Sequence, residues 1–495
     1  MLTRLKVKGF KNLANVDLFF GPVTCVAGAN GTGKSNLFDA LRFLGDVAGE
    51  DLVTAARAQR GVYADAQIPQ LLFHREGARQ TAKIEFEAEM IVPHSGLDEQ
   101  EREVLATANH LRYRLVLRWR PAEAEVPGRL EIEHEELVPV ASRSGANLLH
   151  FPHANHWRTS LIHKTDSAAE NQKGSFISTG REKGKKVVSL RTDRLPVKPI
   201  SVLTDGLRAT VLSSAPSDYP TAWLARREMQ SWRHLQLEPE ALRRPVAGQA
   251  GSPEERDGED KALISVWRRV RRSWQLPRDG LEGDGGLEGR LAQRLIDLID
   301  DVQAIRAGFD EETGLTWLEV CDRSGLWLPA HALSDGTLRF LALALQEQDP
   351  GAPRLLCLEE PENGLAPQRL PALMALLRAL AGDVEDFVDE CNPPLQILFT
   401  THAPGLVSTA GIDELLVAEL ISPGNACFRF PRGSWRKAAQ PRLKPLREED
   451  LAPWRIAAPA DEGTEEREEA VAVRPGRATR KTALDHPLLP FGEPT

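Results

Sequence analysis

The chain has 495 residues, of which 41% are hydrophobic and 27% charged, and its formal net charge is -9. This length predicts two or three domains, or one large core with insertions. The mildly acidic balance argues against a chain coated with basic residues for nucleic acid, although a local basic patch can still bind it.

Cysteine spacing and hydropathy indicate the cellular compartment in which we expect the protein. The five cysteines lie far apart and form no Cys-x-x-Cys pair, which argues against a disulfide framework or a zinc site and fits a reducing compartment. The sequence has no apolar run of about 18 residues, so we expect no membrane span. The N-terminus lacks the continuous apolar segment of a signal peptide, and we expect a cytoplasmic protein.

The first predicted elements surround a glycine-rich loop. Residues 2–7 and 16–20 alternate apolar and polar side chains, which is the period of a half-buried strand. Val23–Ala27 is a short apolar run typical of a buried central strand, and residues 37–44 have helical spacing. The predicted order is strand, glycine loop, helix.

The middle of the chain mixes predicted sheet, helix and loop. Three stretches alternate with a period of two and predict an antiparallel sheet beside the central strand: 82–90, 111–119 and 130–138. Residues 151–200 are polar and turn-rich, and they hold ten Lys or Arg against four Asp or Glu. The remaining predictions are helices at 203–242, 261–274 and 287–305, a loop at 248–260, and a hairpin at 315–320 and 325–328.

The second half of the chain alternates helical and strand-like stretches. Helices are predicted at 338–345 and 369–381, and strands at 355–358, 395–400 and 414–420. The tail from residue 461 onward has few apolar residues, and an acidic run is followed by a basic one. That composition predicts disorder.

The first motif is a full Gly-x-x-x-x-Gly-Lys-Ser match between the predicted strand and helix. Its glycines let backbone N–H groups cradle phosphate oxygens, and the following helix adds its positive N-terminus. Lys34 would reach the terminal phosphates, and the Ser35 hydroxyl would ligate Mg²⁺. The residues of this phosphate loop are Gly28, Ala29, Asn30, Gly31, Thr32, Gly33, Lys34 and Ser35.

The second motif is a pair of acids after the apolar run 355–358. A buried parallel strand delivers such carboxylates to its carboxyl edge, where ligands bind. Glu359 would hold Mg²⁺ through water, and Glu360 would orient or deprotonate the attacking water. Taken without the phosphate loop, the same pair could be a solvated strand end.

Two further motifs flank the acids in the sequence. Ser334 and Gly336 lie in the string Leu-Ser-Asp-Gly-Thr at 333–337, where Ser334 would cap a helix that begins near Thr337 and make an anion site. The alternative roles of Ser334 are a plain N-cap and a contact with the γ-phosphate of a second subunit's ATP.

His402 follows the predicted strand 395–400. A lone His at a strand end is often structural, but an imidazole at that edge can sense the γ-phosphate.

The four motifs stand in the order phosphate loop, serine signature, double acid and histidine, and this set resembles the ABC-type ATPase superfamily. Three strings resemble its non-transporter branch, the RecF-like, SMC-like and OLD-like ATPases that are also called AAA-type: 5–13, 332–343 and 359–365. The resemblance covers roughly residues 1–140 and 310–420. It implies an α/β P-loop NTPase with a mixed or parallel central sheet, an antiparallel β lobe and a helical insertion.

The resemblance also implies ATP and Mg²⁺ as cofactors and an ATP-dependent head-to-tail homodimer. In such a dimer Ser334 and Gly336 act in trans on the ATP held by the phosphate loop of the second chain, across an isologous interface. The predicted parts are a first ATPase half at 1–140, a partly helical basic insertion at 141–310, a second ATPase half at 311–425, an extension at 426–460 and a disordered tail at 461–495.

Three positions depart from the pattern of the branch. The metal-binding acid is usually Asp, whereas Glu359 is one methylene longer. Ala366 stands where the branch often has His. The family also has a Gln that links Mg²⁺ to the sheet, and three candidates stay open: Gln67, Gln70 and Gln230.

Two functions stay open. The resemblance and the basic segments 151–200 and 261–272 favour an ATPase of DNA maintenance or anti-phage defence, although such basic runs can also be solvated surface. The alternative is a regulatory ATPase subunit that controls a separately encoded effector such as a nuclease, without binding DNA itself. Too few residues follow His402 for a Toprim nuclease domain, and the signature string and the large insertion argue against a transporter subunit.

Overall fold

The computed structural model describes residues 1–122, 128–140, 149–163, 175–193, 199–247, 262–275, 286–296, 302–349, 352–389 and 392–454. The loop predicted at 248–260 and the disordered tail predicted at 461–495 lie outside these residues. Among the described residues, no helix is both long and apolar enough to cross a membrane.

Elements are numbered in chain order. The strands are β1 (Leu2–Phe10), β2 (Leu13–Phe19), β3 (Val23–Ala27), β4 (Arg75–Glu76), β5 (Arg79–Gln80), β6 (Lys83–Ile91), β7 (Ser95–Leu97), β8 (Glu103–Leu105), β9 (His110–Arg120), β10 (Arg129–Pro139), β11 (Ile177–Glu182), β12 (Lys185–Leu190), β13 (Ile200–Leu203), β14 (Trp232–Leu235), β15 (Val246–Ala247), β16 (Val302–Asp310), β17 (Leu315–Asp322), β18 (Trp327–Pro329), β19 (Leu355–Glu359), β20 (Gln396–Thr401), β21 (Leu415–Ser422) and β22 (Asn425–Arg429). The helices are α1 (Lys34–Val47), α2 (Leu52–Arg57), α3 (Ile68–Leu72), α4 (Asn155–Leu161), α5 (Pro220–Gln230), α6 (Pro239–Leu242), α7 (Leu263–Gln275), α8 (Gly286–Ile296), α9 (Asp335–Glu347), α10 (Leu370–Leu380), α11 (Pro404–Thr409), α12 (Arg436–Ala439) and α13 (Glu448–Leu451).

The chain divides into two units. The first holds the described residues of Met1–Gln236, Pro353–Glu362 and Leu380–Arg455, and the second holds those of Leu237–Ala352 and Asn363–Ala379.

The first unit contains a mixed six-stranded sheet in the order β14-β19-β20-β3-β21-β22. Its first five strands run parallel, and β22 returns antiparallel beside β21. Every residue of β3 and β20 is buried, which explains why these strands show as apolar runs in the sequence instead of alternating. The carboxyl ends of β3, β19 and β20 meet at one edge, where α1 begins.

The same unit contains an eight-stranded antiparallel sheet in the order β13-β12-β11-β10-β9-β6-β1-β2. One face carries the apolar residues of the alternating strands, and the aromatic rings of Phe10, Phe43 and Phe86 cluster there with α1. The predicted antiparallel β lobe and mixed central sheet of the P-loop NTPase fold are thus confirmed. Strands β11 and β12, which belong to the basic stretch 151–200, and β13 after them extend this sheet.

A buried carboxyl joins the chain near residue 211 to the middle of that sheet. Glu135 on β10 is fully buried and accepts hydrogen bonds from the N–H groups of Val211 and Leu212 and from the Tyr113 hydroxyl. Burial raises the pKa of Glu135 to about 7 against the opposing effect of these donors.

The second unit contains the sheet β15-β17-β16, with β18 paired to β17. The predicted hairpin at 315–320 and 325–328 is therefore confirmed as the antiparallel pair β17 and β18. Helix α9 is largely buried and contacts α6, α7 and α8.

Two helix predictions are wrong over part of their length. Residues 203–242 contain α5 but also β14, which pairs in parallel with β19, and this long-range pairing overrides the local helical pattern. The helix predicted at 287–305 ends at Ile296, and β16 follows. A bulge after Val302 lets Val302 and Ile305 both be buried, and their spacing of three imitates a helix.

Candidate functional site

The phosphate loop leaves β3 and enters α1. Gly31 and Gly33 have φ angles of 80° and 105°, in the left-handed region that glycine adopts without strain. A Cβ on Gly33 would also lie 2.7 Å from the Ala426 Cβ atom. No side chain caps the N-terminus of α1, which leaves its first N–H groups to another acceptor, such as an anion.

Lys34 places its ammonium over this loop. The Nζ atom donates to the carbonyl oxygens of Gly28 at 2.5 Å and Ala29 at 3.0 Å. Burial lowers the pKa of Lys34, and three nearby carboxylates oppose that effect: Glu360, Glu362 and Glu359. The ammonium therefore lies between the loop and the acids, where it can contact an anionic ligand. In the same loop the Thr32 hydroxyl donates to Ala29, and Asn30 is exposed.

Glu359 ends β19 and is the carboxylate closest to the serine of the loop. The Ser35 hydroxyl donates to Glu359 Oε2 at 3.4 Å. Two groups that the sequence did not indicate also contact this carboxylate: the Arg60 guanidinium with both terminal nitrogens, and His234 Nε2 at 3.3 Å. Burial alone would raise the pKa of Glu359, but His234 and Arg60 outweigh it and lower the pKa to about 2.

Arg60 is itself held by a buried acid on α1. Asp39 is 3% exposed and accepts from Arg60 Nε at 3.0 Å and from Lys11 Nζ at 2.7 Å. These ion pairs form the series Lys11, Asp39, Arg60 and Glu359, in which positive and negative side chains alternate. Each buried or half-buried charge therefore has a neighbour of opposite sign. This network fixes where the Glu359 carboxylate points.

Glu360 and His402 face each other across β19 and β20. His402 Nδ1 lies 3.1 Å from Glu360 Oε1. Glu360 has a φ of 47°, which is uncommon outside glycine, and its N–H donates to the carbonyl of Thr400 at 3.0 Å. The turn aims the carboxylate off the strand edge. Glu362 behind it is buried, accepts from the Thr401 hydroxyl and has its pKa raised by that burial.

The signature string belongs to the second unit. Ser334 is the N-cap of α9, and its hydroxyl accepts from the Thr337 N–H at 3.2 Å, as predicted. The following Gly336 lies so close to the loop after the acids that a Cβ would approach Gly364 O to 2.4 Å.

Two arginines tie this string to its surroundings within the second unit. Arg243, from the chain after α6, donates to Leu333 O at 3.2 Å and pairs with the Asp335 carboxylate. Arg339 on α9 donates to Leu237 O at 2.9 Å and to the carbonyl of Asn363. The start of α9 is thus fixed to segments on either side of it in the sequence.

The structure places the glutamine candidates and Ala366 as follows. Gln67 accepts from the N–H groups of its own turn, Gln70 is exposed on α3, and Gln230 donates to Ala48 O at 3.1 Å. Ala366 is exposed and begins a short 3-10 helix. Among the described residues, the side chains observed on Glu359 are Ser35, Arg60 and His234, and not these glutamines.

The basic helix predicted at 261–274 is observed as α7, and its arginines are engaged within the second unit. Arg269 pairs with Asp349 at 3.1 Å, and Arg271 pairs with Glu288 at 3.4 Å while lying over the Trp267 ring. These contacts favour the surface interpretation of this segment over nucleic-acid binding.

Arg60 and His234 could not be found from a local pattern. Arg60 follows α2 without a motif, and it meets Glu359 across 299 positions of sequence. His234 lies on β14, which is four residues long and too short for a periodic signal. Its position depends on the parallel pairing of β14 with β19.

Comparison with known proteins gives one family and a set of distant relatives. A family model described as "AAA domain, putative AbiEii toxin, Type IV TA system" matches residues 23–89 and 212–408, which together make up more than half of the chain. The OLD nuclease of Thermus scotoductus is 48% identical over 48 residues, which cover 10% of this chain and 9% of that protein. The chain thus matches about a tenth of that relative's length.

Among solved structures, the chain is similar to heads of SMC proteins. An Smc head bound to the C-winged helix domain of ScpA is 13% identical with a TM-score of 0.45, over 89% of this chain and 99% of that one. The SMC head domain from Thermotoga maritima is 13% identical with a TM-score of 0.36, over 87% and 98% of the two chains. At this distance the likeness carries no argument about function.

Proposed function

The chain belongs to this family of AAA domains, and from that premise we propose that it binds ATP with Mg²⁺ and hydrolyses it. One observation carries the proposal: Lys34, Ser35, Glu359 and Glu360 converge at the carboxyl edge of neighbouring parallel strands. This edge is where ligands bind in parallel sheets. The phosphate loop supplies backbone N–H groups and a cation, and the acids supply a metal ligand and a base.

The oxygen atoms at this edge fit a Mg²⁺ ion. Ser35 Oγ and Glu359 Oε2 are 3.4 Å apart, and neighbouring ligands of an octahedral ion at about 2.0–2.1 Å lie about 2.9 Å apart. Ser35 would ligate the ion, and Glu359, whose two oxygens contact Arg60, would hold it through a water molecule. Held there, Mg²⁺ would supply positive charge that neutralises the terminal phosphates. The low pKa of Glu359 keeps its carboxylate ionised for this role.

Glu360 is the residue that we propose as general base. Its carboxylate lies off the strand edge, 3.1 Å from His402 Nδ1, and it can accept a proton from a water molecule placed in line with the γ-phosphate. His402 would orient that carboxylate and contact the phosphate with its second ring nitrogen. Lys34 would hold the phosphates against the loop.

We further propose that ATP joins two copies of the chain. Ser334 presents a hydroxyl at the N-terminus of α9, and that end of a helix favours a negatively charged group. Gly336 is buried against Gly364, and its lack of a side chain lets the first turn of α9 lie close to that loop. In the proposed dimer, Ser334 and Gly336 of one chain complete the phosphate site of the other.

The test is a pair of substitutions at the nucleotide site. Glu360→Gln should keep ATP binding, lower turnover by about 10²–10⁴-fold, the usual contribution of a general base, and trap a dimer that size-exclusion chromatography detects. Lys34→Ala should abolish or nearly abolish ATP binding in calorimetry. Glu385→Gln, an exposed residue outside the site, is the matched control. Turnover of Glu360→Gln at the wild-type rate would refute the assignment of the base.

For the biological role we propose an ATPase of DNA maintenance or anti-phage defence. The short match to a nuclease and the family description with its toxin support this role. The competing proposal is a regulatory subunit for a separately encoded effector such as a nuclease, and the engaged arginines of α7 favour it. A pull-down that returns only the homodimer would count against the competing proposal.

A further inference from the structure

The outer face of the eight-stranded sheet carries charged side chains that mostly neutralise each other across strands. Lys6 on β1 pairs with Glu87 on β6 at 3.0 Å. Arg114 on β9 pairs with Glu85 at 3.0 Å. Such cross-strand pairs stabilise a sheet but leave little net positive charge for an external anion.

The hairpin formed by β11 and β12 is different. Four cations surround its two-residue turn, Arg181, Lys183, Lys185 and Lys186, and in the described part of the chain none of them pairs with a carboxylate. Lys183 and Gly184 have φ angles of 49° and 80°, as in the type I′ turns that connect tightly twisted strands. The hairpin is therefore a well-defined element whose four cations outnumber its one carboxylate, Glu182, which accepts a hydrogen bond from the Ser201 hydroxyl.

An open cleft of about 470 Å³ lies at the base of this hairpin. Arg181 and Lys186 line one side of it, and Arg114 belongs to its lining as well. Gly180 belongs to the lining too, and the space beside it is open, because a Cβ built on it would meet no atom within 4 Å. The lining also holds two carboxylates, Glu85 and Glu133, which pair with Arg114 and Lys83. The uncompensated positive charge at the cleft therefore comes from Arg181 and Lys186.

His134 contributes a polar atom that lacks a partner. It lines the cleft from β10, and its Nε2 atom is buried without a hydrogen bond among the described residues. Burial lowers the pKa of His134, and the positive charge of Arg114 adds to that effect. A neutral imidazole can donate one hydrogen bond, and a buried polar group without a partner is costly. Because Nε2 is shielded from solvent, a ligand oxygen would reach it only after the ring turns toward the cleft.

We propose that this cleft and the basic hairpin bind the phosphodiester backbone of a nucleic acid. The lining extends from Lys83 on β6 to Lys186 on β12, which are four strand spacings apart, or about 19 Å. Phosphates of one strand of B-DNA follow each other at about 3.4 Å along the axis, so the surface accommodates a polyanion rather than a single phosphate. The hairpin lies between the two matched segments of the family model, whereas Lys83 at the other end of the lining lies inside the first of them.

The surface uses none of the residues proposed to bind ATP, so the two proposals can fail separately. Lys34→Ala should lose ATP binding and keep nucleic-acid binding. Loss of both in a folded Lys34→Ala protein would contradict the independence of the surface.

The main experiment measures fluorescence anisotropy of a short DNA duplex and of an RNA duplex of equal length at two salt concentrations, without ATP. The double variant Arg181→Gln/Lys186→Gln is compared with Arg442→Gln/Lys444→Gln, which removes two exposed cations outside the cleft and changes the net charge equally. Each lost phosphate contact lowers the slope of log K against log salt by about 0.9. For the cleft variant, we expect the slope of log K against log salt to be smaller in magnitude by about 2. We also expect its affinity for the duplex to be about 50-fold lower near 0.1 M salt.

A second variant tests the shape of the cleft without changing its charge. Gly180→Phe should fill the depression and weaken duplex binding, while circular dichroism shows that the sheet is intact. Tighter binding of one of the two duplexes identifies the nucleic acid. The proposal is wrong if neither duplex binds at low salt, or if the cleft variant and its control bind equally well.

Discussion

Substitution of Gly336 by alanine tests the contact between the signature helix and the loop after the acids. A Cβ at this position would lie 2.4 Å from Gly364 O and 2.7 Å from Leu365 Cδ2, so the loop would have to move by roughly 1 Å to reach an ordinary contact distance. Overpacking of this kind costs about 1–3 kcal/mol. Alanine in a helix gains up to about 1 kcal/mol over glycine. The expected net loss is about 1–2 kcal/mol.

The loop cannot relax freely, because Gly364 has a φ of 84° and a Cβ on it would itself lie 3.2 Å from the Gly336 nitrogen. We therefore expect Gly336→Ala to unfold at a lower urea concentration and to show faster amide exchange at Gly364 and Leu365 by mass spectrometry. It should also weaken ATP-driven association in the Glu360→Gln background. Gly180→Ala, with open space around its new methyl group, is the control. Unchanged exchange and an unchanged unfolding midpoint would refute the close approach.

Two further predictions concern buried charges. Lys11→Met removes one partner of the buried Asp39 carboxylate and should lower the free energy of unfolding by about 3 kcal/mol. The double variant Lys11→Met/Asp39→Asn should recover most of that loss in urea unfolding. Equal losses in the two variants would contradict the pairing of Lys11 with Asp39. Glu135 keeps its proton up to a pKa of about 7 in the folded chain but loses it near 4.5 when unfolded, so raising the pH through this window favours unfolding. Glutamine has no such proton to lose, so the free energy of unfolding of Glu135→Gln minus that of the wild type should rise by about 3 kcal/mol between pH 4.5 and 7. A difference that does not change with pH would show that Glu135 is not buried as described.

Long elements with a clear period were predictable from the sequence. The alternating stretches at 82–90, 111–119 and 130–138 match β6, β9 and β10 closely, because one face of that sheet is buried and the other is charged. The strand–loop–helix order around the phosphate loop was also visible, since glycine positions and apolar runs are local signals.

Elements that depend on distant pairing were not predictable. Strand β14 is only four residues long, and it exists because β19 offers it a parallel edge. The hairpin β11–β12 falls in a stretch that looked only polar and turn-rich, because much of it faces solvent and its burial pattern is irregular. In both cases the partner strand supplies information that a local window of sequence does not contain.

The same reasoning explains why a glutamate can occupy the position where the superfamily usually has aspartate. The longer side chain of Glu359 reaches past the strand edge, where an unsupported carboxylate would have more rotamers to lose on binding a metal. Arg60 and His234 remove that freedom from two directions, and Asp39 holds Arg60 in turn. The extra methylene and the two added partners therefore belong together, since a shorter aspartate has fewer rotamers to restrict. What looks like a departure in the sequence is, in the fold, one carboxylate held in place by a network drawn from three distant segments.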